Sequence, residues 1–393
     1  MTVTMRSFAK INLGLRIGAA RPDGFHELLT VYQTIGLHDE IRISVGRGRG
    51  IEIRCADPRV PKDESNTCFR IVEEAMRALR AKGRVLIEIE KRLPVQGGLG
   101  GASSNAVATM LGLERALRKS LSASDRLRIA AIVGSDLPLF LMGGTVLGIG
   151  RGEQVYPLQD LPAMACVVVT PEVGVSTPAA FAEWDRSCGA GSLAREALPH
   201  GSSSEENTER RLAELRSAGP SRRPGPTQEK SGSAQQESKS KATGLRPGTG
   251  EGVCPSTSAS KLTVADTSDR MNLLSRGLSA WLSEMHSSAP SDLLAKRGRA
   301  ENPLLWLVRA GIENDFERVV FPEYPELSRG KSALLRAGAK YASLSGSGST
   351  LYGLFASRKA ANLAAARLRS EEWAAQATVT LTRAAYWRRV VAG

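Results

Sequence analysis

The chain has 393 residues, of which 41% are hydrophobic and 24% are charged. These values are close to those of average globular proteins, and they exclude a collagen, a coiled coil and a chain that is disordered throughout. The formal net charge of +13 suits a nucleic-acid-binding protein, and it equally suits an enzyme whose substrates carry several phosphates.

Five cysteines are spread widely along the sequence, without a CxxC pair and without a spacing typical of metal ligands. The odd number and the wide spread favour a reducing compartment. The first ten residues lack the apolar core of a signal peptide, and no run of 18 apolar residues occurs. We therefore predict a cytoplasmic protein that has no membrane partner.

A low-complexity segment interrupts the chain between residues 187 and 261. It contains no Phe, Trp, Tyr, Ile or Met, so it has too little apolar surface to offset the entropy that ordering would remove. We predict that these 75 residues form a disordered insertion. The segment carries 11 basic and 8 acidic residues, so +10 of the total charge of +13 belongs to the rest of the chain.

Hydrophobic periodicity predicts interleaved strands and helices on both sides of this segment. In the first block we expect strands at 3–8, 10–17, 41–45, 51–55 and 84–90, and helices at 66–81 and 103–117. In the second block we expect helices near 270–286, 303–312, 323–337 and 357–370, and strands at 341–345, 350–355 and 378–387. This mixed order predicts an α+β fold with antiparallel sheets rather than a doubly wound sheet.

A glycine-rich loop lies between the strand at 84–90 and the helix at 103–117. It reads Pro94-Val95-Gln96-Gly97-Gly98-Leu99-Gly100-Gly101-Ala102-Ser103-Ser104. Glycines let the backbone approach an anion closely, and a helix N-terminus adds free N–H groups and a partial positive charge. We also expect Ser103 and Ser104 to cap the helix and to offer hydroxyl groups. The loop predicts a triphosphate site that is neither a Walker A loop nor a dinucleotide fingerprint, and a plain turn is the alternative.

This loop, continued to Asn105, resembles the second motif of the GHMP kinase superfamily. Ala9-Lys10-Ile11-Asn12-Leu13 resembles the first motif, and Leu344-Ser345-Gly346-Ser347-Gly348-Ser349-Thr350 resembles the third. The resemblance implies a two-lobed α+β kinase fold. It places an N-terminal lobe, like domain 2 of ribosomal protein S5, at 1–160. It places a ferredoxin-like α/β sandwich lobe at 161–186 and 262–393, separated by the insertion at 187–261.

Within the superfamily, the chain is similar to the 4-diphosphocytidyl-2-C-methyl-D-erythritol kinase family. The segments that carry this likeness are DGFHEL at 23–28, GSDLPLF at 134–140, GVST at 174–177 and NDFE at 314–317. Phe25 stands where many members have Tyr, and Ala102 stands where Gly is common. The resemblance implies ATP-dependent phosphorylation of the 2-hydroxyl of 4-diphosphocytidyl-2-C-methyl-D-erythritol in the non-mevalonate isoprenoid pathway, with Mg²⁺ accompanying ATP.

The same resemblance implies roles for single residues. Asp136 is the expected general base, and Lys10 is expected to keep that carboxylate ionised and to offset phosphate charge. A helix cap for Asp136 and a surface position for Lys10 are the structural alternatives.

On the substrate side, Asn12 is expected to face the same side of its strand as Lys10. Phe25 and His26 are expected to clamp a nucleobase, and Phe181, with Trp184, to lie near the substrate mouth. Asn66 is either a plain helix cap or a neighbour of the adenosine. Ser104 and the loop are the expected neighbours of Mg²⁺, but the metal ligands stay unassigned.

Other functions remain open at the level of sequence. One is another GHMP small-molecule kinase, of the homoserine or mevalonate-pathway type. Another is a nucleic-acid-binding protein, although the basic residues outside the insertion form no dense run and no readout motif occurs. A third is a catalytically dead member of the family. We expect a small-molecule substrate, no nucleic acid, and a monomer or homodimer.

Overall fold

Two β-sheets organise the part of the chain that the computed structural model describes, residues 2–95, 97–188 and 313–392. In the first sheet the strand order is β3-β4-β2-β5-β6, and β1 pairs with β2. Its strands are β1 (Thr2–Ala20), β2 (His26–Gly46), β3 (Gly50–Cys55), β4 (Arg84–Glu90), β5 (Thr145–Gly150) and β6 (Gln154–Pro157). The second sheet has the order β10-β7-β9-β8. Its strands are β7 (Ala165–Val169), β8 (Tyr341–Leu344), β9 (Leu351–Phe355) and β10 (Ala375–Val379).

The helices of the described residues cover the outer faces of these sheets. In chain order they are α1 (Thr67–Ala78), α2 (Gly101–Leu117), α3 (Ala123–Val133), α4 (Leu137–Met142), α5 (Thr177–Cys188), α6 (Glu317–Glu323), α7 (Pro325–Arg336), α8 (Arg358–Ser370) and α9 (Arg383–Val390). None of them has the length and apolar character that crossing a membrane requires. Every strand pair except β3–β4 is antiparallel, as the mixed order of elements predicts.

Three apolar clusters hold the described residues together. One lies between the first sheet and helices α1–α4 and α9, and a second lies between the second sheet and α5–α8. The third joins the two sheets through Ile11 and Leu13 of β1 and Val168, Tyr352 and Leu354 of the second sheet. Because β1 contributes to all three clusters, it forms the structural link between the sheets.

The paired strands β1 and β2 are longer than the sequence pattern indicates. The expected strands at 3–8 and 10–17 are parts of the single strand β1, and 41–45 is the end of β2. The register of β1 against β2 shifts between Phe8 and Lys10 and again between Asn12 and Gly14. Such bulges bend a strand locally and re-aim its side chains, and these two flank Lys10 and Asn12.

The predicted strand at 378–387 is wrong over most of its length. Strand β10 ends at Val379, and helix α9 begins at Arg383. The Thr382 side chain caps this helix by accepting a hydrogen bond from the Ala385 N–H, so local capping prevails over the apolar alternation that suggested a strand.

Some predictions concern residues outside the described ranges. The expected helices near 270–286 and 303–312 are among them, as is the expected insertion from residue 189 onward. At its near boundary, α5 extends to Cys188 and so enters the predicted insertion by two residues. The lobe boundary at 160/161 stays a prediction.

Candidate active site

A cavity of about 860 Å³ opens between the glycine-rich loop, the middle of β1 and the start of β2. Its lining comes from strands β1, β2 and β4 of the first sheet, from the glycine-rich loop, and from the start of α5 and the turn between β8 and β9. The predicted residues that line it are Lys10, Asn12, Phe25, His26, Pro94, Val95, Gly97, Gly98, Leu99, Gly100, Gly101, Ala102, Ser103, Asp136 and Phe181. Gln96 lies outside the described residues. The fold therefore brings nearly all of the predicted site into one space.

The glycine-rich loop ends in the N-terminus of α2, but not with the cap that its serines suggest. Gly100, with φ +68°, is the cap residue, and Ser103 and Ser104 lie within the first turn of the helix. A Cβ on Gly100 would lie 2.9 Å from the Phe140 ring and 3.0 Å from Lys10 Cγ. Only glycine therefore lets the loop pass this close to Lys10, and the N–H groups of the first turn remain available to an anion.

Ser104 is turned away from the cavity. It is buried, and its hydroxyl accepts a hydrogen bond of 2.7 Å from the Ser7 hydroxyl. Ser103 lines the cavity instead. The expected hydroxyl donor of the loop is thus Ser103, because Ser104 is used to fasten α2 to β1.

The third motif forms a turn that docks on the loop. The Ser345 hydroxyl donates to the Gly98 carbonyl oxygen over 3.0 Å, and the Thr350 N–H donates to the Gly97 carbonyl oxygen over 3.1 Å. The Asn314 amide donates to the carbonyl oxygens of Leu344 and Gly346. The turn therefore buttresses the loop from the side of the second sheet.

Lys10 and Asp136 lie next to each other in the cavity wall. Lys10 Nζ lies 3.7 Å from Asp136 Oδ2, and the side chains are 4% and 34% exposed. Burial lowers the pKa of Lys10 below its ordinary value, while the Asp136 carboxylate opposes that shift. Asp136 occupies the cap position of α4, yet its side chain makes no capping hydrogen bond. The carboxylate is thus turned to the cavity rather than used as a helix cap.

Asn12 stands beside this pair, as its position on the strand predicts. Its Oδ1 accepts a hydrogen bond of 2.7 Å from Lys10 Nζ, and its Nδ2 donates to the Thr30 hydroxyl over 2.8 Å. The Thr30 hydroxyl in turn donates to the Gly14 carbonyl oxygen. This chain of hydrogen bonds holds the Lys10 ammonium in one place.

Besides Tyr32, a group of four rings lines the cavity, from Phe25, His26, Phe181 and Phe316. The His26 ring stacks on Phe181 with centroids 5.0 Å apart and planes 14° apart, and Phe181 meets Phe316 edge-on. Phe25 is 51% exposed, with the Arg151 guanidinium 5.0 Å from its ring centre. Trp184 does not reach the cavity mouth, because it is buried in the second apolar cluster.

Asn66 caps helix α1, as one of its two predicted roles requires, and it also lines the cavity. Its Oδ1 accepts a hydrogen bond from the Cys68 N–H at the start of α1, and its Nδ2 donates to the Pro61 carbonyl oxygen over 2.6 Å. Both ends of the amide are thus engaged in holding the backbone. A direct contact with adenosine stays a prediction.

Three residues that the sequence analysis missed belong to this site. The Tyr32 hydroxyl donates to Asp136 Oδ1, Asp185 Oδ1 lies 2.7 Å from His26 Nε2, and Arg151 lies over Phe25. Tyr32 sits directly opposite Asn12 across the β1–β2 ladder. A period-2 count along β2 would have placed it near the site, whereas no local signal marks Asp185.

The described residues offer no group of three or more His, Cys, Asp and Glu side chains that could hold a metal ion by themselves. Asp136 is the carboxylate among the residues that line the cavity. This donor set suits an ion that is carried mainly by phosphate oxygens and water, as Mg²⁺ is with a nucleotide.

Two family models match the chain. The model for the GHMP kinases N terminal domain matches residues 66–144, and the model for the GHMP kinases C terminal matches residues 304–375. A crystal structure of 4-(cytidine 5'-diphospho)-2C-methyl-D-erythritol kinase aligns over 96% of this chain and 98% of its own, with a TM-score of 0.58 and 22% identity. These matches confirm the predicted α+β GHMP kinase fold.

Relatives in sequence decide the family. The 4-diphosphocytidyl-2-C-methyl-D-erythritol kinase of Solibacter usitatus (strain Ellin6076) is 32% identical over 356 residues, which are 91% of this chain and 82% of that protein. This chain belongs to the 4-diphosphocytidyl-2-C-methyl-D-erythritol kinase family. The member from Nocardioides sp. (strain ATCC BAA-499 / JS614) is 41% identical over 190 residues, 46% of this chain and 63% of that protein.

Membership of the 4-diphosphocytidyl-2-C-methyl-D-erythritol kinase family confirms the resemblance that the motifs predict. It makes the chain an ATP-dependent small-molecule kinase. The alternatives of a homoserine or mevalonate-pathway kinase and of a nucleic-acid-binding protein are not favoured. The roles of individual residues stay predictions.

Proposed function

We propose that this chain transfers the γ-phosphoryl group of ATP to the 2-hydroxyl group of 4-diphosphocytidyl-2-C-methyl-D-erythritol. The observation that carries the proposal is the 3.7 Å pair of Lys10 and Asp136 in a cavity that also contains the glycine-rich loop and the His26–Phe181 stack. A glycine-rich loop suited to phosphates, a candidate base and a group of aromatic rings thus share one space. These are the three parts that a cytidylylated alcohol and ATP require.

The transfer needs positioning and charge stabilisation more than covalent chemistry by the protein. The α2 N-terminus and the loop N–H groups would bind the ATP phosphates. Asp136 would accept the hydroxyl proton as the new oxygen–phosphorus bond forms, while the bond from the γ-phosphorus to the bridging oxygen breaks and ADP leaves. Lys10 would offset the charge that develops on the transferred group.

The group of rings at Phe25, His26, Phe181 and Phe316 would hold the cytosine. The exposed ring of Phe25 can stack on a base, and His26 can hydrogen-bond to its polar edge. Arg151 lines the cavity beside Phe25 and would add positive charge near the diphosphate. Asn12 would orient the Lys10 ammonium.

Mg²⁺ would neutralise phosphate charge when it is bound with ATP, and Ser103 is the side chain of the glycine-rich loop best suited to sit beside it. We assign the reaction to the cytoplasm because the cysteine pattern favours a reducing compartment. Whether the enzyme is a monomer or a homodimer stays a prediction.

A coupled ADP-release assay with Mg²⁺–ATP tests the proposal. We expect turnover with 4-diphosphocytidyl-2-C-methyl-D-erythritol and at most trace turnover with homoserine or mevalonate. Asp136→Asn should lower kcat by about 10²- to 10⁴-fold, the range for loss of a general base, while the circular dichroism spectrum stays that of the wild type. Asp125→Asn is the matched control, because Asp125 lies on the surface at the start of α3.

Two results would contradict the proposal. Faster turnover of homoserine or mevalonate than of 4-diphosphocytidyl-2-C-methyl-D-erythritol would reject the proposed substrate. Near wild-type kcat in Asp136→Asn would reject the base.

A further inference from the structure

The buried phenol of Tyr32 touches both members of the Lys10–Asp136 pair. Its side chain is 3% exposed, and its hydroxyl donates to Asp136 Oδ1 over 3.2 Å. Lys10 Nζ lies 5.7 Å from the centre of its ring. A buried hydroxyl costs stability unless it is hydrogen-bonded, so a phenylalanine would be the cheaper residue for packing alone.

Two glycines make the space that this phenol occupies. A Cβ on Gly148 would lie less than 3.0 Å from the Tyr32 ring, and a Cβ on Gly152 would lie less than 3.0 Å from its hydroxyl oxygen. Gly148 is on β5, which pairs with β2, and Gly152, with φ +96°, is in the turn after β5. Residues on three segments are thus adapted to a hydroxylated ring at this position.

The two carboxylate oxygens of Asp136 have different neighbours. Oδ1 accepts the Tyr32 hydrogen bond, and Oδ2 faces Lys10 at 3.7 Å. The Tyr32 hydrogen bond engages one lone pair of Oδ1, whereas Oδ2 makes only the 3.7 Å contact with Lys10 and is the freer oxygen for a substrate hydroxyl. The same hydrogen bond restrains rotation of the carboxylate.

We propose that Tyr32 is a positioning residue that holds Asp136 Oδ1 and so presents Oδ2 as the oxygen that takes the substrate proton. This inference rests on the proposed role of Asp136 as the base. Because burial and the nearby Asp136 carboxylate raise the pKa of Tyr32 well above its ordinary value, the phenol remains a donor throughout the working range of pH.

The pH dependence of the reaction provides the test. A hydrogen bond donated to an ionised carboxylate lowers the pKa of that carboxylate. Loss of the phenol hydroxyl should therefore move the acidic limb of the pH profile of kcat/KM to higher pH. Among the described residues, Lys10 on β1 faces Asp136, Glu153 in the turn after β5 acts on Tyr32, and Arg151 in that turn lines the same cavity. Tyr32→Phe leaves all three in place.

We expect Tyr32→Phe to shift the acidic limb upward by about one pH unit and to lower kcat by about tenfold, the size of one hydrogen bond to a charged group. KM for the alcohol should change little. Tyr386→Phe is the matched control, since it removes another buried hydroxyl, which donates to the Phe140 carbonyl oxygen over 2.7 Å. That variant should lose thermal stability without any shift of the limb.

A second measurement separates this inference from the proposed function. In the ligand-free protein, ¹³C NMR follows the Asp136 carboxyl titration, and the signal is assigned by its loss in Asp136→Asn. Tyr32→Phe should raise that titration midpoint even if the wild type fails to phosphorylate the cytidylylated alcohol, a failure that would reject the proposed function alone. An unchanged midpoint in Tyr32→Phe, or an equal shift in Tyr386→Phe, would overturn the role of Tyr32.

Discussion

Lys10 and Asp136 differ sharply in their access to solvent although they form one ion pair. The lysine is buried, and the aspartate is about one-third exposed, with side-chain exposures of 4% and 34%. A base must meet a substrate that arrives from solvent, whereas a cation acts more strongly where water is excluded. The difference in burial therefore fits the two proposed roles, and an ordinary surface ion pair would not show it.

His26 shows how a partner on a distant element can set the state of a side chain. Its Nε2 lies 2.7 Å from Asp185 Oδ1 on α5. A carboxylate accepts hydrogen bonds, so Nε2 carries the proton. In the neutral ring, Nδ1 is then left as an acceptor, which suits the amino group of cytosine and not the carbonyl oxygen of uracil.

Removal of this carboxylate should weaken the binding of the cytidylylated substrate. We expect Asp185→Ala to raise KM for that substrate by roughly tenfold with little change in kcat, because uniform binding is lost rather than transition-state stabilisation. Initial-rate kinetics at saturating ATP measure both constants. Glu183→Ala is the control on the same helix, since Glu183 pairs with Arg186 instead of His26. A fall in kcat at constant KM would contradict the assignment.

At the scale of elements, the glycine-rich loop and the 345–349 turn form one unit. Gly98 has φ +81°, and a Cβ there would lie less than 3.0 Å from the Ser345 carbonyl oxygen. Gly348 packs equally closely on the loop, because its Cβ would meet the Gly98 nitrogen. The two segments lie about 250 residues apart in the chain, and they can pack this closely only because Gly98 and Gly348 have no Cβ.

Gly98→Ala should therefore damage the loop and the turn together. We expect kcat/KM for ATP to fall at least roughly tenfold and the free energy of unfolding to fall by about 1–3 kcal/mol, from left-handed backbone strain and the backbone clash. Kinetics with varied ATP and urea denaturation measure the two effects. Gly46→Ala, at a glycine with open space around it, should change neither. Wild-type values for Gly98→Ala would show that the loop can move away from the turn.

At the scale of the whole molecule, β1 holds the described parts of the chain together. Its backbone pairs with the 313–315 segment through hydrogen bonds from the Leu15 N–H and to the Leu15 carbonyl oxygen. Next to this bridge, Arg16 and Asp315 form a buried ion pair of 2.8 Å, and Asp315 also accepts a hydrogen bond from the Ile17 N–H. The contact ties the first sheet to the segment that leads into α6.

Breaking this pair should destabilise the fold. We expect Asp315→Ala to lower the free energy of unfolding by about 3–5 kcal/mol, the usual cost of leaving one partner of a buried pair uncompensated. Chemical denaturation followed by circular dichroism measures the loss. Glu371→Ala removes the exposed i,i+4 partner of Arg367 and should cost less than about 1 kcal/mol. Equal losses in the free energy of unfolding for the two variants would refute a special contribution of the buried ion pair to stability.

The low-complexity segment raises a separate prediction for the whole chain. Because its composition provides little apolar surface, deletion of 190–260 should leave a folded and active kinase. Circular dichroism and the ADP-release assay test this expectation, with a Gly/Ser linker of equal length as the control for chain length. If both variants lose their fold, the segment is structural.

The sequence by itself determined the family, and it predicted fifteen of the residues that line the cavity, most of them in the glycine-rich loop. These predictions follow from short local motifs, such as residues 94–104 and the DGFHEL and GSDLPLF segments. In each motif the residue types alone indicate a function, without knowledge of the tertiary contacts. The strands at 51–55 and 84–90 and the helix at 357–370 were predictable for the same reason, since their periodicity is local.

Only the tertiary structure decided which side chains meet. Lys10, Tyr32 and Asp136 come from β1, β2 and the start of α4, and the bulges in β1 set the direction of Lys10. The contact of His26 with Asp185 spans 159 positions in the chain. Ser104 points away from the cavity because it bonds to Ser7, and a helix replaces the expected strand at 383–387 because Thr382 caps it. Residue types alone do not specify these hydrogen bonds. Packing, strand register and capping select the partners, because each side chain could have bonded to several others of the same type.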